Sequence, residues 1–159
     1  MPAVFNKLGI SFQYPDNWAM EEEDALAGHK SVTVCSPGGA FWSVSLHPPS
    51  SHPLEMANAA ICAIKEEYAE MEIEEAREVI AGQETVGFDL SFYYLDLISS
   101  ASVRCLRADR ATYAVFFQAE DREFDQLHLV FLAMTTSLLN GLTPAKSWDR
   151  EAASGHGSR

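Results

Sequence analysis

The residues best able to do chemistry are three cysteines, five histidines and a dense set of carboxylates. A thiol becomes a nucleophile when a base lies beside it. Cys35, Cys62 and Cys105 are widely spaced and form no C-x-x-C pair, so zinc binding and thiol exchange have no sequence support. Buried free thiols are expected. His47 and His52 bracket a proline-rich loop, with no third side chain at a metal-ligand spacing. They read as exposed loop histidines. Glu66, Glu67, Glu70, Glu72, Glu74, Glu75 and Glu78 crowd one stretch. Calcium needs oxygens converging from a tight loop. These glutamates run along a helix end and a strand and point several ways, so a solvated face that steers a basic partner is expected. Arg104, Arg107 and Arg110 are close neighbours in sequence. Strand alternation turns Arg104 away from Arg107, which argues against a single anion site. Pairing with surface carboxylates, of little energetic value, is expected instead. No Gly-rich phosphate loop, G-x-S-x-G elbow or H-E-x-x-H motif occurs. The sequence nominates no catalytic residue, no metal ligands and no cofactor, and reads as a non-enzyme. A close approach of Cys105 and His128 in space would reverse that reading.

The chain that must position these groups has 159 residues, 47% hydrophobic and 21% charged, which suits one globular domain. Its formal charge of -12 disfavours a nucleic-acid surface and an anionic membrane. No stretch approaches the roughly 20 apolar residues of a membrane helix. Pro15 and Asp16 interrupt the N-terminal region, which does not read as a signal peptide. With three free thiols, a cytoplasmic location is expected.

The elements follow from periodicity. Ile10, Phe12 and Tyr14 alternate, then Pro15, Asp16 and Asn17 make a turn before Trp18. A short acidic strand covers 19–23. Strands at 30–36 and 40–48 form a hairpin across Pro37, Gly38 and Gly39, with Trp42, Val44 and Leu46 inward and Ser43 and Ser45 outward. Leu54, Ala57, Ile61, Ile64 and Tyr68 then step at helical spacing, which predicts a helix over 53–70 with Pro53 at its first position. Strands are predicted at 71–82 and 83–97. In the second, Val86, Phe88, Leu90, Phe92 and Tyr94 share one face, while Tyr93, Leu95 and Leu97 share the other. Small residues at 99–102 suggest a turn, followed by a hairpin around Asp109 and Arg110. Phe124, Leu127, Phe131, Met134 and Leu138 mark a second helix over 122–140. Leu129 and Leu132 widen its stripe, so deeper burial is expected. Asp121 would cap it and Gly141 end it. Residues 1–142 form the domain and 143–159 a flexible tail. The expected core comprises Trp18, Val34, Val44, Ile61, Phe88, Leu90, Phe92, Leu127, Phe131 and Met134.

The opening GISFQYPDNWAMEEED resembles the start of the Mog/PsbP-like family, where a strand leads through a "yPxxW" turn, here Tyr14, Pro15 and Trp18, into a second strand. The order of elements over residues 8 to 140 is similar too. The resemblance implies an α+β domain, a single antiparallel sheet sandwiched by helices. That family includes a Ran-GTPase-binding protein, extrinsic photosystem II subunits and bacterial effector chaperones. It implies non-enzymatic protein binding and carries over no active site.

The leading functional expectation is a cytosolic interaction protein, a chaperone or adaptor, that binds a protein partner or a second copy of itself. The proposed partner-binding residues are Tyr93, Leu95, Leu97 and Phe116, on the second face of the longest strand and the hairpin beside it. The alternative is a small-molecule site between sheet and helix. An open apolar face would favour the first, and a cavity with converging polar groups the second.

Overall fold

The computed structural model describes residues 2–24, 30–68, 70–94 and 96–143. The predicted tail beyond Thr143 and the candidate Leu95 lie outside the described residues. Eleven elements follow in order: β1 (Ala3–Lys7), β2 (Ile10–Tyr14), β3 (Ala19–Asp24), β4 (Lys30–Cys35), β5 (Phe41–His47), α1 (Pro53–Glu67), β6 (Met71–Ile80), β7 (Gln83–Tyr94), β8 (Leu97–Arg107), β9 (Thr112–Glu120) and α2 (Asp121–Asn140). β3 to β9 form one seven-stranded sheet in the order β3-β4-β5-β9-β8-β7-β6, and every adjacent pair is antiparallel. β1 and β2 form a separate two-stranded hairpin. This is the α+β architecture read from the sequence, with helices on both faces of the main sheet.

Directly paired residues share a face, so the register assigns each side chain to a layer. One face carries Val32, Val34, Trp42, Val44, Val115 and Phe117. α2 covers it through Phe131, Met134, Leu138 and Leu139. The β1–β2 hairpin fills the space beside α2, and the Phe12 ring lies 4.8 Å from that of Trp42. The Trp42 indole N–H donates to Thr135 Oγ1 at 3.0 Å, which removes the cost of burying it. The opposite face carries Phe88, Leu90, Phe92, Ala101, Val103 and Cys105, and α1 covers it with Ala57, Ile61 and Ile64. α1 packs chiefly on β7, β8 and β9. On that face β4 presents Ser31 and Thr33, and β5 presents Ser43 and Ser45, which tolerate water.

Several sequence expectations are corrected. The turn expected at 99–102 lies inside β8; β7 ends at Tyr94 and β8 begins at Leu97. Ser99 and Ala101 are small because α1 packs on that face, and Ser102 donates to Asp89 on the other. β1 was not anticipated, since only Phe5 of its five residues is buried. Glu120, one residue before Asp121, caps α2 by accepting from the Glu123 N–H. Leu129 is 73% exposed, so the second stripe is narrower than expected. Cys62 is exposed and Cys35 half-buried; of the three thiols, Cys105 is the buried one. Phe88 and Leu127 are partly buried, while the other eight core expectations are buried.

Gly82 and Gly87 occupy backbone positions that favour glycine. Ala81 and Gly82 make the two-residue β6–β7 turn with φ of 52° and 77°, the left-handed pair that matches strand twist. Gly87 sits in mid-strand, where a Cβ would overlap the Val103 carbonyl.

Candidate functional site

A mid-strand glycine lets a large side chain lie across the sheet beside it. Gly87 pairs with Arg104, whose side chain is 9% exposed. The guanidinium donates from Nε to Glu78 Oε1 at 2.7 Å and from Nη2 to Asp89 Oδ1 at 2.9 Å. Its Nη1 donates to the carbonyls of Val103 at 2.9 Å and Phe88 at 3.2 Å. Ser102 completes the cluster with a 2.7 Å hydrogen bond to Asp89 Oδ1. The expected weak surface pairing of Arg104 is thus corrected: the guanidinium is buried and four of its donor hydrogens are engaged. Arg107 takes the other face and donates to the Ser51 carbonyl at 3.1 Å.

This cluster floors a cleft of about 340 Å³ between α2 and β7–β8. Phe117, Phe124 and Leu132 form its apolar wall, with Ser100 and His128 also lining it. Ser100 donates to Asp121 at the first residue of α2, at 3.0 Å. The glutamates of β6 are sorted by strand alternation: Glu72, Glu74 and Glu78 share the cleft's face, and Glu75 takes the other. The glutamates thus do point several ways, as expected, and of them Glu78 lines the cleft.

Cys105 neighbours Arg104 along β8 and therefore faces α1, where it packs with Ala57 and Val103. His128 lines the cleft on the α2 side. The sheet separates them. Burial pushes the Cys105 thiol up to about 12, far from a thiolate at neutral pH. Burial, then the Glu21 charge, raises Cys35 as well. Burial raises the Tyr113 phenol, with Arg110 opposing. His47 hydrogen-bonds Ser45 at 2.9 Å at the end of β5, while His52 is the exposed N-cap of α1. No group of three or more metal-binding side chains occurs among the described residues.

The partner-binding candidates fall in two places. Tyr93 pairs with Ile98 and is 60% exposed; Leu97 is 48% and Ile98 43% exposed. All three lie at the end of the β7–β8 hairpin, but Tyr93 and Ile98 are cross-strand partners on one face, whereas Leu97 pairs with Tyr94 and takes the opposite face, so the expectation that Tyr93 and Leu97 share a face is corrected. Phe116 pairs with Val103, five residues from Ile98, so it faces α1 and away from Tyr93. It is partly buried against Phe88 and lies 5.7 Å from the Phe41 ring. The expectation that Phe116 shares a face with Tyr93 is thereby corrected. Ile98 was not singled out in the sequence, though an apolar residue beside a predicted strand end signals it.

No protein-family model and no curated protein matches the chain. Solved structures do. Cyanobacterial PsbP (CyanoP) from Synechocystis superposes with a TM-score of 0.59 at 14% identity, over 86% of this chain and 90% of that one. The fold is PsbP-like. A Pseudomonas aeruginosa protein of unknown function, PA94, matches at TM-score 0.50 and 11% identity, over 86% of this chain and 95% of that one. A Bacteroides thetaiotaomicron structure matches at 0.51 and 12%, over 91% of this chain and 49% of its own length. At these identities the likeness concerns the PsbP-like fold. No described helix is long and apolar enough to cross a membrane.

Proposed function

We propose that this PsbP-like domain is a non-enzymatic, cytosolic protein-interaction module, a chaperone or adaptor. The contact surface is the β7–β8 hairpin tip. Of the seven exposed large apolar side chains among the described residues, Tyr93 and Ile98 are cross-strand partners on one face of the tip, and Leu97 stands on the other. Single exposed apolar residues are ordinary, but a cluster led by an aromatic is the composition of an interface anchor. The tip ends two of the longest strands, which gives it a rigid base and a low ordering cost on binding. The acidic surface supports a basic partner, steered by charge and then held by the apolar tip.

The test is a double variant, Tyr93→Ser with Ile98→Ser. Proteins captured by parent and variant are compared, and the differential one is purified and titrated against both. Light scattering on the chain alone reports self-association through the same tip. Unchanged affinity and unchanged mass would overturn the assignment. The second reading, a small-ligand site, is favoured by the cleft under α2, where polar groups converge opposite an apolar wall.

A further inference from the structure

We infer that the cleft between α2 and β7–β8 binds an organic cation, a primary ammonium or guanidinium on an apolar stem. This goes beyond the hairpin-tip surface and does not depend on it. The cleft, of about 340 Å³, has the size of a small-ligand site. Its two walls differ in chemistry. Phe117, Phe124 and Leu132 offer an apolar side, and Glu78, Asp89, Ser100, Ser102 and Arg104 a polar one.

The sign of the ligand follows from which polar atoms are engaged. Arg104 donates to two carboxylates and two carbonyls, so little of its capacity is left for an anion. Each carboxylate uses one oxygen on it. Glu78 Oε2 and Asp89 Oδ2 have no hydrogen-bond partner among the described residues, and the two side chains are 43% and 49% exposed. Glu72 and Glu74 stand on the same sheet face, and Asp121 accepts from the cleft-lining Ser100. An anion entering here meets carboxylates and a neutralised arginine. A cation meets two open acceptors, and the Phe124 ring adds a favourable π face. The apolar wall then takes the stem, which an inorganic cation lacks.

The experiment is an amide-resolved NMR titration of the full chain with n-hexylammonium, with hexanol and hexanoate as controls of equal stem. Saturable shifts at Ser100, Ser102, Arg104, Phe124 and His128 are expected with the ammonium, weaker ones with hexanol and none with hexanoate. Equal responses to all three would reduce the cleft to an apolar crevice and overturn the inference. Unsaturable shifts spread over the acidic surface would do the same. Leu132→Arg, at a position 38% exposed and outside the arginine network, places a fixed cation over the cleft and should abolish the response. Asp89→Asn should weaken it about tenfold. If that variant fails to fold, Leu132→Arg decides, and a parental response from it overturns the site. The N-acetylated, C-amidated tripeptide Gly-Lys-Gly separates the sources. Binding of the tripeptide assigns the site to a partner's side chain, and binding of the free amine alone assigns it to a small molecule.

Discussion

Replacing Arg104 with Met keeps the stem and removes every donor, which isolates the guanidinium's contribution. Four hydrogen bonds are lost, two to the Glu78 and Asp89 carboxylates and two to the Phe88 and Val103 carbonyls. Breaking a fully buried pair costs about 3–5 kcal/mol, because the orphaned charge cannot reach water. Here the carboxylates are 43% and 49% exposed, so water recovers much of their solvation. Their share is therefore well below that range, about 1–2 kcal/mol. Loss of a donor at a buried carbonyl adds about 1 kcal/mol for each that water cannot reach. The sum is about 2–4 kcal/mol, or about 5–15 °C in Tm for a domain of this size. Urea denaturation followed by tryptophan fluorescence measures it. Arg104→Lys keeps the charge but not the fork, and should recover less than half of the loss. A cost for Arg104→Met below about 0.5 kcal/mol, typical of surface changes, would show that the network is solvated and that the reasoning is wrong.

Gly87→Ala drives a Cβ into the Val103 carbonyl and should cost at least about 2 kcal/mol by the same assay; a neutral result would mean that β7 and β8 are spaced more widely there. Phe131→Ala removes a ring with no exposure, packed 4.8 Å from Phe117 and 6.1 Å from Trp18, and should cost about 3–5 kcal/mol by urea titration. With a thiol reagent at neutral pH, exposed Cys62 should label first, half-buried Cys35 more slowly, and Cys105 only on unfolding. The Cys105 thiol titrates near 12 when folded against 9.0 ordinarily, so the folded chain holds its proton longer. That contribution to stability is complete below pH 9.0 and is lost as pH rises towards about 12. Urea titrations across that window should show a shallower alkaline decline in Cys105→Ala than in the parent.

Legibility in the sequence tracked the range of the interaction. The helical stripes at Leu54–Tyr68 and Phe124–Leu138 come from local spacing, and both helices lie there. The strand alternation of Trp42 and Val44 is likewise local, and both are buried. The 99–102 segment misled because Ser and Ala suit turns, while here they make room for α1, a contact set by a distant element. Leu129 misled because a stripe gives helix faces but not how much of each face the sheet reaches. The cleft depends on register: Arg104 meets Glu78 and Asp89 from two other strands, and no local spacing records that. The hairpin tip was half legible. Tyr93 and Leu97 are exposed, but the expectation of one continuous strand to 97 missed the chain reversal after Tyr94, which puts Leu97 on the face of Phe116 and opposite Tyr93.

The most direct measurement of the interaction proposal is a calorimetric titration of the purified, captured partner into parent chain and into Tyr93→Ser/Ile98→Ser. The double variant must first show the parental circular dichroism spectrum. An interface anchor contributes about 2 kcal/mol or more, so loss of one weakens binding about 30-fold, and the double variant, if the two add, should bind about 1,000-fold more weakly. An affinity equal to that of the parent, with the fold intact, would contradict the assignment of the β7–β8 tip as the binding surface.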